Sequence, residues 1–304
     1  MVSDIVSLAR SLGLNFDKVE CLTVISGVAV NLTPLHVGRV GVTIDYPVER
    51  FPDGTVYIPG SSLKGVLRTT AEGIAKASRT YVCEIFGTDM TKCESAVRIF
   101  KYIYDAVRRG LSEGNIVNLV RDKAEQEIES IQNKKVSRNV IAFLEDIKSS
   151  DSLESLIEKI KSHNVPCPVC KLFGNREIAS HVEVLDVLPV DRSKVKIGYR
   201  TRNAIDRFRG AARSGALFTF EYVSPGVEWN IEIRLVNVSL QSSSSESKLM
   251  KSVLSLMAVH GISVGRMRSV GLGLLRLSKA EVVEYSVEDF SLVEKYRKDL
   301  MEVV

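Results

Sequence analysis

Four cysteines are spaced as metal ligands are. Cys167-Pro168-Val169-Cys170 sets two thiols three residues apart, a spacing that lets both reach one tetrahedral Zn²⁺. Cys83 and Cys93 offer a second pair with a longer spacer, and the four together would complete a structural zinc site. His163 is an alternative fourth ligand. Three other fates stay open: redox chemistry at the CxxC, free thiols, or disulfides, although no thioredoxin-like βαβ pattern surrounds this CxxC. The fifth cysteine, Cys21, lies in an apolar run and reads as core.

A second group of residues suits anions. In Ile58-Pro59-Gly60-Ser61-Ser62-Leu63-Lys64-Gly65-Val66-Leu67-Arg68, Pro59-Gly60 breaks a strand, and Ser61 or Ser62 can cap the helix that follows. Lys64 and Arg68 are four apart and share one face near that N-terminus, where free N–H groups already favour anions. An ordinary capped helix with solvated cations would carry the same residues. From Lys194 to Arg213 the chain holds Lys194, Lys196, Arg200, Arg202, Arg207, Arg209 and Arg213 against the single acid Asp206. Arg266, Arg268 and Arg276 follow near the C-terminus, in and beyond the glycine-rich stretch Gly265, Gly271, Gly273, where a missing Cβ lets a polymer backbone come close. Charge plus stacking holds nucleic acid without regard to its sequence; two solvated charge clusters are the plainer alternative.

Two residues could do covalent chemistry beside such a strand. Asp45 could hold a divalent cation or orient a ribose 2′-OH, and Mg²⁺ is often held by only one or two protein carboxylates. Otherwise Asp45 caps a turn. His36 is the nearest candidate base, since histidine titrates near neutrality, and its alternatives are RNA contact or packing.

The elements that must position these groups read as α+β. Helix is expected over 3–13, strand over 19–32, a loop and short hairpin over 35–60, and helix over 62–77. Residues 94–163 are helical in composition and contain no proline. Strand returns at 182–188, and 217–223 with 229–238 read as an antiparallel pair about Pro225-Gly226. Residues 239–247 read as a loose serine-rich linker. Helix 248–260, strand 271–284 and an amphipathic helix over 287–302 complete the reading. At 304 residues, 45% hydrophobic and net charge +4, the chain can bury a substantial core. No apolar run suffices to span a membrane and no signal pattern opens it, so a cytoplasmic protein is expected.

The Ile58–Arg68 string resembles the signature of the RAMP superfamily, the RNA-binding subunits of CRISPR–Cas effector complexes. Leu35-His36-Val37-Gly38 with Ile44-Asp45-Tyr46-Pro47-Val48, Lys171-Leu172-Phe173-Gly174 after the CxxC, Arg202–Arg207 running to Gly215-Ala216-Leu217-Phe218, and Gly265–Gly273 are similar to further family segments in the same order. The nearest likeness is to the backbone subunit of type III-A (Csm) complexes. The resemblance implies a ferredoxin-like (RRM-like) core over 1–82 and 171–304, a helical insertion over 83–170 bounded by the cysteine pairs, and a β-hairpin thumb at 197–226. It implies CRISPR RNA, complementary target RNA, further copies of the chain and other effector subunits as partners. RNA-contacting residues would be Ser61, Ser62, Lys64, Arg68, Arg200, Arg202, Arg207, Phe208, Arg209, Arg266, Arg268, Gly271 and Gly273. Asp45 would serve a metal-dependent attack by the ribose 2′-OH that leaves a cyclic phosphate. Two alternatives stay open: a RAMP subunit that only holds or caps CRISPR RNA, and a metal-independent RAMP-fold nuclease, relying on His36, that matures precursor CRISPR RNA.

Overall fold

The computed structural model describes residues 9, 14, 18–38, 46–84, 89–131 and 138–304. Asp45 and nearly all of the helix expected over 3–13 lie outside the described residues. The strands are β1 (Cys21–Asn31), β2 (Val182–Val184), β3 (Leu188–Pro189), β4 (Ile197–Asp206), β5 (Ala211–Val223), β6 (Glu228–Val236), β7 (Ile262–Ser263), β8 (Leu274–Glu288) and β9 (Ser291–Asp299). The helices are α1 (Gly60–Ala77), α2 (Lys92–Arg108), α3 (Glu113–Ile131), α4 (Arg138–Lys148), α5 (Leu153–Ser162), α6 (Pro168–Phe173), α7 (Ser245–Val259) and α8 (Leu300–Val303). The chain divides into two compact units: Met1–Glu20 with Glu72–His181 and Ser244–Leu249, and Cys21–Ala71 with Val182–Ser243 and Met250–Val304. Helices and antiparallel sheets in separate runs make the fold α+β.

The second unit is built on an antiparallel sheet in the order β2-β6-β1-β8-β7, with β3 also on β6 and β9 also on β8. β6 shows why it sits inside: Trp229, Ile231, Ile233 and Leu235 are buried and alternate with polar neighbours, the period of a strand with one face on the core. Buried Asn31 ties β1 to the turn before β6. Its Oδ1 accepts from Val227 N–H (3.0 Å) and Trp229 Nε1 (3.1 Å), and its Nδ2 donates to the Thr33 and Ser224 carbonyls (3.0 Å each). All four bonds satisfy an amide that would otherwise be costly to bury. They also draw the Pro225-Gly226 turn onto the end of β1. This is why the expected pairing of 217–223 with 229–238 does not form: β6 runs along β1, and β5 pairs with β4 as a separate two-stranded hairpin.

Three other expectations are corrected. The strand expected over 182–188 is broken into β2 and β3, because Asp186 turns its carboxylate onto Gly60 N–H (2.7 Å). Residues 239–247 are ordered turns. Ser239 Oγ accepts from Gln241 N–H, and Ser244 Oγ accepts from Ser247 N–H, so α7 opens at Ser245. The helix expected over 287–302 is β9 for most of its length. Asp289 and Phe290 both take positive φ (46° and 62°), as a two-residue hairpin turn requires, and β9 returns along β8. Glu294 and Arg297, three apart, imitate a helical ion pair, but Arg297 also bonds Glu281 across the strands (2.8 Å).

The first unit holds α2 to α6. Thr91 opens α2 with a capping box: its side chain accepts from Glu94 N–H, and the Glu94 carboxylate accepts from Thr91 N–H. Val97, Phe100 and Ile103 of α2, Ile116, Val120 and Ala124 of α3, and Val140, Phe143 and Leu144 of α4 are buried at helical spacing. Among the described residues no helix is long and apolar enough to cross a membrane.

Candidate nucleic-acid interface

The first turn of α1 is fixed from outside itself. Pro59 C=O accepts from Ser62 and Leu63 N–H, while Gly60 N–H goes to Asp186. A Cβ on Gly60 would lie 2.2 Å from Val184 O, so only glycine allows this approach. The capping acceptor is therefore Asp186; Ser61 (exposed) and Ser62 (half-buried) sit within the first turn. Leu63, Leu67 and Ala71 bury the opposite stripe. Lys64 and Arg68 are half-buried, and Lys64 is held below its usual pKa by burial first and by Arg68 next, with Glu183 opposing. Two cations crowded this way lower their mutual repulsion by taking up an anion. Gly65, one residue on, has open space where a side chain would be.

The β4–β5 hairpin carries Arg200, Arg202, Arg207 and Arg209. At its tip, Asp206 accepts from Phe208 N–H (2.9 Å) and Arg209 N–H (3.1 Å), which sets out Arg207, Phe208 and Arg209 side by side. Phe208 is 97% exposed. Nearer the base, the Arg200 guanidinium lies over Tyr222 (5.4 Å) and Arg202 over Phe220 (5.9 Å). Bridges from Leu35 to Val223 and from Tyr46 to Phe220 anchor the hairpin there. Arg266 lies over the Tyr46 ring (5.0 Å), and Tyr46 meets Phe218 edge-on (5.7 Å). The result is a row of rings, Tyr46, Phe218 and Phe220, with Arg202 and Arg266 stacked on it. The arginines were legible in sequence, whereas the rings under them were missed. Their signal was the alternation Phe218, Phe220, Tyr222, which puts three aromatics on one face of a strand.

His36 is buried in this unit. Its Nδ1 lies 2.7 Å from the Glu221 carbonyl, which can only accept, so the proton is on Nδ1. Its Nε2 is buried and has no hydrogen-bond partner among the described residues. Burial first, and Arg266 with it, lowers the His36 pKa against the opposing carbonyl bond, so the ring is neutral at physiological pH. The Glu221 carboxylate takes Arg50 (2.8 Å) and Val48 N–H (3.0 Å); burial pushes its pKa up, but these partners outweigh it and hold it below the usual value.

The glycine-rich stretch divides by role. Cβ atoms on Gly265 and Gly273 would fall 2.1 Å from His36 O and 2.0 Å from Val264 O, so these two make room for the chain's own backbone. Gly271 (φ 86°) faces open space, and Arg266 and Arg268 beside it are exposed.

In the other unit the four cysteines converge. The Sγ atoms of Cys83, Cys93, Cys167 and Cys170 lie within 4.8 Å of one another and all four residues are buried. Tetrahedral Zn–S bonds of about 2.3 Å place sulfurs about 3.8 Å apart, so this group can hold a metal ion of that kind. Cys167 N–H points at Cys93 Sγ (3.0 Å) and Cys170 N–H at Cys167 Sγ (3.5 Å), donors that favour thiolate sulfur. Hydrogen bonds from Cys167, then Cys170 and Cys93, pull Cys83 far down, while burial pushes Cys93 up. All five cysteines are free of disulfides. Cys21 is half-buried at the start of β1. His163 stands apart from the thiols in its hydrogen bonding, with Nε2 on Asp146 (2.9 Å).

The CRISPR system Cmr endoribonuclease Cmr4 of Pyrococcus furiosus is 24% identical over 290 residues, spanning 83% of this chain and 94% of that protein. A sequence profile of the RAMP superfamily matches residues 30–276, a span that contains α1, the β4–β5 hairpin, the thiol cluster and the glycine-rich stretch, and the chain belongs to that superfamily.

Proposed function

We propose that this protein is a backbone subunit of a type III CRISPR effector complex that binds CRISPR RNA and cuts the paired target RNA. The observation that carries the reading is the row of stacked arginines and rings at the base of the β4–β5 hairpin, joined in the same unit by Lys64 and Arg68. Stacking and phosphate charge are what a holder of any guide sequence needs, since base pairing supplies the specificity. The relative's name, a Cmr endoribonuclease, supports both the complex and the activity; the motif likeness to Csm and the kinship to Cmr meet at the type III level. The strand order β2-β6-β1-β8, with α1 and α7 in the connecting segments, supports a ferredoxin-like core, and β4–β5 supports a thumb. We read 83–170 as a helical insertion whose ends a structural zinc at the four thiols would tie.

Asp45 would serve the cut by orienting the ribose 2′-OH toward the adjacent phosphate: the 2′-oxygen bonds to phosphorus and gives up its proton to solvent, the bond from phosphorus to the 5′-oxygen of the next nucleotide breaks, and that oxygen leaves as a hydroxyl, giving a cyclic phosphate; a divalent cation held by Asp45 would offset negative charge on that phosphate. Tyr46, which follows Asp45 in sequence, is bridged to Phe220 within the arginine and ring cluster. The buried, neutral His36 favours a packing role, which weighs against a His36-driven maturation nuclease. The test is cleavage of an end-labelled target RNA by the guide-loaded complex with Mg²⁺. A regularly spaced ladder that vanishes in Asp45→Ala with target binding intact supports the reading. An unchanged ladder removes Asp45. No cleavage by either protein, with tight guide binding, leaves a subunit that only holds RNA.

A further inference from the structure

The first unit contains a cavity of about 450 Å³. That volume falls within the range of about 300–1,000 Å³ in which proteins enclose small ligands. Every residue lining it belongs to the first unit, whereas the row of rings and arginines belongs to the second. The apolar lining is Pro166, Pro168 and the Tyr81 ring. The buried Lys92 backs Tyr81, with Nζ 4.4 Å from the ring centre and 3.2 Å from the His163 carbonyl. The polar lining includes Arg79, Lys171 and Ser245.

Arg79 stands just past the end of α1. Its N–H meets the Lys76 carbonyl (3.0 Å), the Thr80 N–H meets the Ala75 carbonyl (2.9 Å), and its φ is 56°. Glycine is the usual residue in this helix-ending turn, because a Cβ is strained there. The Arg79 side chain is exposed and has no ion-pair or hydrogen-bond partner among the described residues. A strained position that carries a free cation beside a cavity points to a ligand of opposite charge. Lys171 meets Glu246 (3.1 Å), which balances one charge and leaves two ammonium donors for another acceptor. The positive charge of Arg79 is then unbalanced. Ser245 opens the 15-residue α7, whose first N–H groups favour an anion.

We infer that this cavity binds a nucleoside monophosphate, with the phosphate on Arg79, Lys171 and the start of α7, and the base against Pro166, Pro168 and Tyr81. Such a ligand is flat and largely apolar at one end and doubly anionic at the other, which matches the two kinds of lining. A 5′-phosphorylated RNA end carries the same group. The site is separate from the residues on which the proposed function rests and does not depend on that function.

The test is calorimetric titration of the full-length chain with AMP, GMP, CMP and UMP, then with inorganic phosphate and the nucleoside of the tightest binder. One or more nucleotides should bind, with the nucleoside and inorganic phosphate each at least tenfold weaker. Arg79→Gly removes the cation and relieves the turn. Asn164→Asp adds a negative charge to the lining at a residue whose φ of 48° either side chain tolerates. Each variant should lose about tenfold in nucleotide affinity, with its melting temperature kept and its binding of single-stranded RNA, read by anisotropy, unchanged. No nucleotide bound by the wild type, a nucleoside or phosphate that binds as tightly as the nucleotide, or folded variants that bind like the wild type would each overturn the inference. So would displacement of the nucleotide by a 5′-phosphorylated oligonucleotide at lower concentration than by free nucleotide, with its 5′-hydroxyl form inactive, since the occupant would then be an RNA end. Nucleotide binding that fails while RNA binding holds leaves the proposed function standing, and the reverse leaves the cavity's ligand standing.

Discussion

Arg202 and Arg266 each combine a charge with a stacked ring, so removing either should weaken RNA binding more than removing a cation from the hairpin tip. Arg202→Ala and Arg266→Ala are each expected to cost about tenfold in affinity and to lower the salt slope by about one. Lysine at either position should restore the slope but only part of the affinity, since an ammonium lacks the planar face. Anisotropy titrations of single-stranded RNA at several salt concentrations check both. Gly60→Ala puts a methyl group against Val184 O and should destabilise the protein by about 1–3 kcal/mol, read by chemical denaturation. At this scale the sequence was a good guide to residue type and a poor one to reach. The Lys64 and Arg68 face and the four thiols were legible from spacing alone. The Asp186 cap was not, because its partner lies 126 positions away. Nor was the role of Gly265 and Gly273, which depends on which backbone passes beside them.

Within α3, Glu127 is buried, neither carboxylate oxygen has a hydrogen-bond partner among the described residues, and burial pushes its pKa up to about 7. The folded state therefore keeps a proton that the unfolded chain gives up. Its contribution to stability is full below about pH 4.5 and is lost as pH rises through 7. Glu127→Gln should stabilise the protein by about 1–3 kcal/mol near pH 8 and change little near pH 4, measured by denaturation at the two pH values. At the thiol cluster, Cys170→Ser should lower bound zinc, read by elemental analysis, together with the melting temperature. Elements with a clean period were legible: β1, α1, β6 and the run of helices. Those decided by a turn were not. The last strand looked helical because its charges sit three apart, and only the positive φ values at Asp289 and Phe290 send it back along β8.

Across the whole molecule the formal charge is only +4, so RNA binding rests on where the cations lie. If Lys64, Arg68, Arg200, Arg202, Arg207, Arg209 and Arg266 all meet phosphate, the logarithm of the binding constant should fall against the logarithm of salt with a slope of about −5. A slope near −1 would mean that most of them face solvent or protein. The α+β class was legible from the order of elements; the pairing of β6 with β1 rather than with β5 was not, since it depends on Asn31 capturing the turn between β5 and β6. The thiol cluster has one more effect. The chain that departs at Cys93 comes back at Cys167, whose N–H meets the Cys93 sulfur. Entry and exit of the long excursion thus share one doorway. Chain added between the doorposts at an exposed turn such as Gly110, which faces open space, would leave them where they are, which makes that turn the place to graft a reporter domain.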